Sequence, residues 1–179
     1  RKVEGIKKLA RLLVKVEKPS EIEALLARME EIPQLYKGNK GYAFEVLSPE
    51  GDCILIHAED DIKDLKKVEE EVTFAKDEKL RYLTPFEISV EINLPDETSS
   101  LLEKEEIENR LAFNQTQGSD LLVENNVTWD LSMLKFQVEN LDLPVLRQRF
   151  EEAGYFIPKS EKFFLTKDTN NIELWFEAV

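Results

Sequence analysis

The chain has 179 residues, 42% of them hydrophobic, with 37 acidic against 24 basic side chains and a formal net charge of −13. That balance repels phosphate backbones and argues against nucleic-acid binding, and no apolar run approaches the ~20 residues that cross a bilayer. A single cysteine, Cys53, excludes an intramolecular disulfide. The opening RKVEGIKK resembles neither a natural start nor a secretory signal. The sequence therefore reads as the later portion of a longer protein, with a cytoplasmic setting expected.

In chain order, Leu12, Val14 and Val16 alternate against Leu13 and Lys15, the pattern of a largely buried strand. Pro19 and Ser20 then open a helix, with Ser20 as the expected cap and Glu23 at capping-box spacing. Ile22, Leu25, Leu26 and Met29 fall on one helical face, and Pro33 ends the run. Two strands follow, Tyr42–Leu47 and 52–58, joined by Ser48-Pro49-Glu50-Gly51. From 60 to 83 charge dominates, and the stretch reads as a connector, part helical on the spacing of Ile62, Leu65 and Val68.

Residues 86–93 alternate as a strand, a helix is expected from Asp96 or Thr98 through Leu101, Leu102 and Ile107, and 111–126 reads as a hairpin around Gly118. The end of the chain repeats the opening order. A strand at 131–138 leads to a helix at 143–153 closed by Gly154, then to strands at 163–166 and 172–177 around the turn DTNN. ARLLVKVEKPSEIEALLARM with YAFEVLSPEGDCILIHAE, and LKFQVENLDLPVLRQRFEEAG with KFFLTKDTNNIELWFEAV, are thus two copies of one strand–helix–hairpin unit. FEISVEINLPDETSSLL to GSDLLVENN reads as a weaker third copy.

One unit cannot bury both faces of its sheet, so copies must pair. The expected fold is α+β, with βαβββ units paired into curved mixed sheets, helices outside and a cup inside. Residues 84–179 would form a two-unit domain. Residues 1–59 would form half of another, completed by an upstream unit or by a second chain.

The chemistry is sparse. Cys53 and His57 are the only thiol and the only imidazole. They share a strand face but stand ~13 Å apart in an extended strand, beyond the reach of a thiolate–imidazole pair. With one His, HExxH and His-rich zinc sites are absent, and no GxSxG elbow occurs. Leu55, His57 and Glu59 lie on one strand face, as candidates for the lining of a cup.

NIELWFEAV and VENLDLPVLRQRFEEAG resemble the last strand and the first strand-to-helix crossover of the vicinal oxygen chelate superfamily, which includes glyoxalases, extradiol dioxygenases and bleomycin-resistance proteins. Enzymes of that group hold a divalent metal with His and Glu, so the resemblance implies metal ligands at set places. Glu87 and Glu173 stand at two of them, whereas Met133, Leu55 and Arg11 occupy others. The ligand set is therefore mostly replaced, and no cofactor is expected from the residues themselves. His57, Glu59, Glu87 and Glu173 are the candidate ligand-site residues, with Glu87 and Glu173 the metal candidates.

VKVEKPSEIEALLAR, LYKGNKGYAFEVLSPEGD and LIHAEDDI are similar to the CppA family of Gram-positive bacterial proteins, named as a complement-degrading proteinase. That resemblance spans nearly the whole chain and implies a host complement protein as partner. Three readings follow: a CppA-like proteinase, a non-catalytic module that binds a ligand or protein, and a metal-dependent lyase, isomerase or dioxygenase.

Overall fold

The computed structural model describes residues 6–49, 51–76, 82–95, 99–102, 110–117 and 130–179. The fold is α+β, with two mixed sheets and two short α-helices among the described residues. Strands β1 (Leu9–Val16), β2 (Gln34–Lys37), β3 (Tyr42–Leu47), β4 (Cys53–His57), β5 (Lys66–Lys67), β6 (Pro85–Leu94) and β7 (Leu111–Gln115) form one sheet, in the order β5-β2-β3-β4-β1-β6-β7. The other sheet has β8 (Met133–Val138), β9 (Tyr155–Phe156), β10 (Phe163–Lys167) and β11 (Glu173–Ala178), in the order β8-β11-β10-β9. The chain divides into two compact units. An N-terminal unit holds residues 9–92 and 108–112, and a C-terminal unit holds 1–8, 93–107 and 113–179.

The two copies read from the sequence share one topology. In the first, β1 lies parallel to β4, with Leu13 beside Leu55, and β4, β3 and β2 follow as antiparallel neighbours. In the second, β8 lies parallel to β11, with Leu134 beside Leu174, and β10 and β9 follow. The loop from β1 to the parallel β4 carries helix α1 (Pro19–Leu26), and that from β8 to β11 carries α2 (Leu143–Arg149), as a parallel neighbour requires a crossover.

Helix α1 starts differently from the expectation. Pro19 takes the first turn and Lys18 is the N-cap without a side-chain hydrogen bond, so Ser20 lies inside the helix and does not cap it. Proline suits that position because its missing N–H would be unpaired there anyway. Glu21 turns inward instead: it is buried and accepts from the Thr84 N–H and hydroxyl, both at 2.6 Å. Ile22 and Leu26 pack on Val16, Phe44 and Ile56, the main core of the N-terminal unit.

Helix α2 is capped as the sequence suggests, with Asp142 accepting from Val145 N–H at 3.1 Å. It ends at Arg149 rather than at residue 153, and Gly154 follows at φ +70°. Beneath it lies an aromatic core in which Phe136 stacks on Phe176 at 4.8 Å and Phe150 sits 5.7 Å from Phe176. At the β10–β11 turn the buried Asp168 accepts from Ser100 Oγ and Leu101 N–H, each at 2.7 Å, and ties residues 99–102 to the hairpin.

Two further findings differ from the sequence reading. The strand at 86–93 pairs antiparallel along the free edge of β1, with Leu13 opposite Ser89 and Lys15 opposite Glu87. The charged stretch after residue 59 folds against the N-terminal unit: a 3-10 turn at Ile62–Asp64 and β5 replace the expected helix. Val68, Val72 and Phe74 then pack on the core beneath α1. The helix expected from 96 or 98 to 107 and the second half of the 111–126 hairpin lie largely outside the described residues.

Candidate functional site

Strand alternation gives the N-terminal sheet two unlike faces. Val14, Val16, Ile54 and Ile56 face α1. Arg11, Leu13 and Lys15 face the other way, with Cys53, Leu55 and His57 beside them on β4 and Glu91, Ser89 and Glu87 opposite on β6. Leu13, Ala43 and Leu55 form a buried apolar floor at the middle of this face, which carries no helix among the described residues, with Tyr36, Ile62 and Leu65 packed against it.

One end of the face is built around Arg11. Its Nε donates to Glu91 at 2.6 Å and its Nη2 to the second Glu91 oxygen at 3.2 Å, a two-pronged pair. Arg11 Nη1 stands 3.7 Å from Glu45, which also accepts from the Tyr36 hydroxyl at 3.4 Å. The Cys53 thiol lies in the same cluster, and its pKa is pushed up to about 12 by burial, by its hydrogen bond to Glu45 and by the Glu45 charge. A thiol so placed stays protonated and is a poor nucleophile.

The other end is built around His57, which is 5% exposed and lies beside Lys15 in the parallel register. Burial, then the Lys15 charge, hold its pKa below the ordinary value, while the Glu59 backbone and the Glu59 and Glu87 carboxylates oppose them. The ring is therefore neutral near pH 7, and its Nδ1 has no hydrogen-bond partner among the described residues. Lys15 is paired to Asp60 at 3.0 Å, and Asp60 also binds Lys40 at 2.6 Å.

The four candidate residues have separate neighbours. Glu59 is buried and serves the β2–β3 turn: it accepts from Lys40 N–H at 2.6 Å and packs where a side chain on Gly38 would stand. Glu87 faces Lys15 across β6. Glu173 belongs to the C-terminal unit, exposed at the start of β11 between Met133 and Lys167. Among the described residues no three His, Cys, Asp or Glu side chains gather as a metal needs. With Met133 beside Glu173 and Lys15 opposite Glu87, these residues do not fit a divalent cation.

Arg11, Glu45, Glu91 and Tyr36 are the members of the face that sequence reasoning missed. Arg11 stood out only as the wrong residue at a ligand place. The strand alternation of Arg11, Leu13 and Lys15 was a usable signal, but Glu91 joins them only through the β1–β6 register.

The description "CppA N-terminal" matches residues 1–68, and "CppA C-terminal" matches 83–176. The chain belongs to the CppA family. A solved crystal structure of the cppA protein from Streptococcus pneumoniae TIGR4 is similar throughout, with 59% identity and a TM-score of 0.88, covering 100% of this chain and 75% of that one. No curated protein matches the chain. The CppA N-terminal match takes in all of β1 to β4 with the turn that overlies the floor, and the CppA C-terminal match takes in β6 to β10 and most of β11.

Proposed function

We propose that this CppA-family chain is a non-catalytic binding module on a glyoxalase-like scaffold, with a host complement protein as the partner that the family resemblance implies. The state of Cys53 and His57 carries the reading. They are the only thiol and the only imidazole in the chain. The thiol is held protonated beside Glu45, and the imidazole is buried beside Lys15. A peptidase mechanism through either would need a thiolate or a base open to substrate. The shared order of β1-β4-β3-β2 and β8-β11-β10-β9 supports the glyoxalase-like scaffold, and the residues at its metal places favour binding over lyase or dioxygenase chemistry.

The reading is tested by measuring complement binding to immobilised protein for the wild type and for Cys53→Ala/His57→Gln. Binding is expected in both, within about twofold. Absence of binding by the folded wild type would sink the proposal, as would a partner turned over only when both side chains are intact.

A further inference from the structure

The apolar floor of the face opposite α1 is closed by the chain itself. Leu13, Ala43 and Leu55 are 5%, 0% and 1% exposed, and the side chains laid over them from outside the sheet are Ile62 and Leu65. The segment that brings these two is slight: one 3-10 turn, then two residues of β5 on the edge of β2. Asp60, Asp61, Lys63, Asp64, Lys66 and Lys67 are all exposed. Its polar ties are exposed as well, namely Asp60 with Lys15 and Lys40 and Asn39 with Asp64 at 2.8 Å. Exposed pairs of that kind add little to stability. Two half-buried side chains and a two-residue edge pairing with β2 therefore do most of the holding, the profile of a segment that opens locally before the rest of its unit.

We infer that residues 60–67 are a displaceable strap over a peptide-binding face, and that the segment which replaces it is a short peptide of a partner protein with two apolar side chains three residues apart, one acid two residues before the first and another just before the second. The inference extends the binding-module reading by naming its surface. The chemistry of the occupant is taken from the strap: apolar residues at 62 and 65 meet the floor, and the acids at 60 and 64 meet Lys15, Lys40 and Asn39. Lys15 and Lys40, which now hold Asp60, are the cations that the first of those acids would meet. A second observation points the same way. The buried His57 Nδ1 stands on the same face without a partner among the described residues, a place for a donor that the strap does not supply.

The test uses a fluorescent peptide of residues 60–68, DDIKDLKKV, and reads its anisotropy with the whole chain. Ile62→Ser/Leu65→Ser should bind it at least about tenfold more tightly than the wild type, and adding Lys15→Glu/Lys40→Glu should abolish the gain. Asp60→Asn/Asp64→Asn, which leaves the apolar contacts in place, guards against a fold failure and should give a smaller gain of about threefold. Hydrogen exchange should also quicken at 60–67 alone in both strap variants. If neither folded variant gains affinity, or if a scrambled peptide binds equally, the strap is a fixed part of the fold and the inference fails. Dimerisation of the strap variants would mean exchange between copies and would overturn the peptide assignment. Because the probe is the chain's own segment, these outcomes stand apart from whether complement binds.

Discussion

The Cys53 thiol and the His57 ring are set by different neighbours, and each makes a separate prediction. Burial raises the thiol pKa most, and Glu45 accepts the thiol hydrogen and adds its charge, so thiolate is scarce until the pH nears about 12. Cys53 should alkylate with iodoacetamide about tenfold or more slowly than a free peptide thiol at about pH 8. Glu45→Gln removes the two Glu45 effects but leaves burial, and should restore only part of that rate. His57 has a depressed folded-state pKa, so the unfolded chain binds its proton first as the pH falls. Its contribution to stability is present above the ordinary value of about 6.5 and is lost as the pH falls through the folded value. Urea midpoints measured from about pH 7.5 to 5 should fall more steeply for the wild type than for His57→Gln. Equal slopes would mean that the ring does not sit buried and neutral.

Individual elements owe their form to single close contacts. The β2–β3 hairpin turns tightly because Gly38 lets the buried Glu59 carboxylate lie against it, where an added Cβ would come within 2.5 Å. Gly38→Ala should therefore destabilise the N-terminal unit by about 2 kcal/mol, the usual range for overpacking. In a Glu59→Ala background the same change should cost little, so a double-mutant cycle by chemical denaturation should show strong coupling. Additive effects would place Glu59 elsewhere. Glu59 shares its strand face with His57 in the sequence pattern, and that much was readable. Its work as a buttress for the turn was not, because it depends on Gly38, Lys40 and a hairpin closed more than fifteen residues earlier.

The same limit explains which other elements were legible. Strands β1, β3 and β4 of the first repeat, β8, β10 and β11 of the second, and a helix opening at Pro19 or Ser20 follow from alternation, helical spacing and proline, all local signals, whereas the short β2 and β9 did not stand out. The strand at 86–93 was also plain, but its place beside β1 was not, since strand pairing and register are set by partners distant in sequence. Ile62, Leu65 and Val68 have helical spacing, yet the run is short and its apolar side chains divide between the two faces of the sheet. Packing therefore chose a single turn and an edge strand over a helix.

At the scale of the molecule, two copies of one topology carry unlike surfaces. On β11, Trp175 stacks on Phe163 at 4.2 Å and its indole N–H donates to Glu177 at 3.0 Å, while Lys135 pairs with Glu177 at 2.9 Å. The corresponding face of the first repeat has Arg11, Glu45 and Cys53 at one end and His57 at the other. Repetition thus sets the architecture and leaves each face free to carry its own chemistry. Among the described residues neither face brings together the ligand set that the resemblance to metal enzymes implies, while the one thiol is held protonated and the one imidazole is buried and neutral.

The most direct measurement is a time course of purified complement protein with this chain, free of contaminating protease and read by intact mass. The binding-module account predicts a stable complex and an unchanged mass for the complement chains, with wild type and Cys53→Ala/His57→Gln alike. Cleavage by the wild type that disappears in the double variant would contradict it.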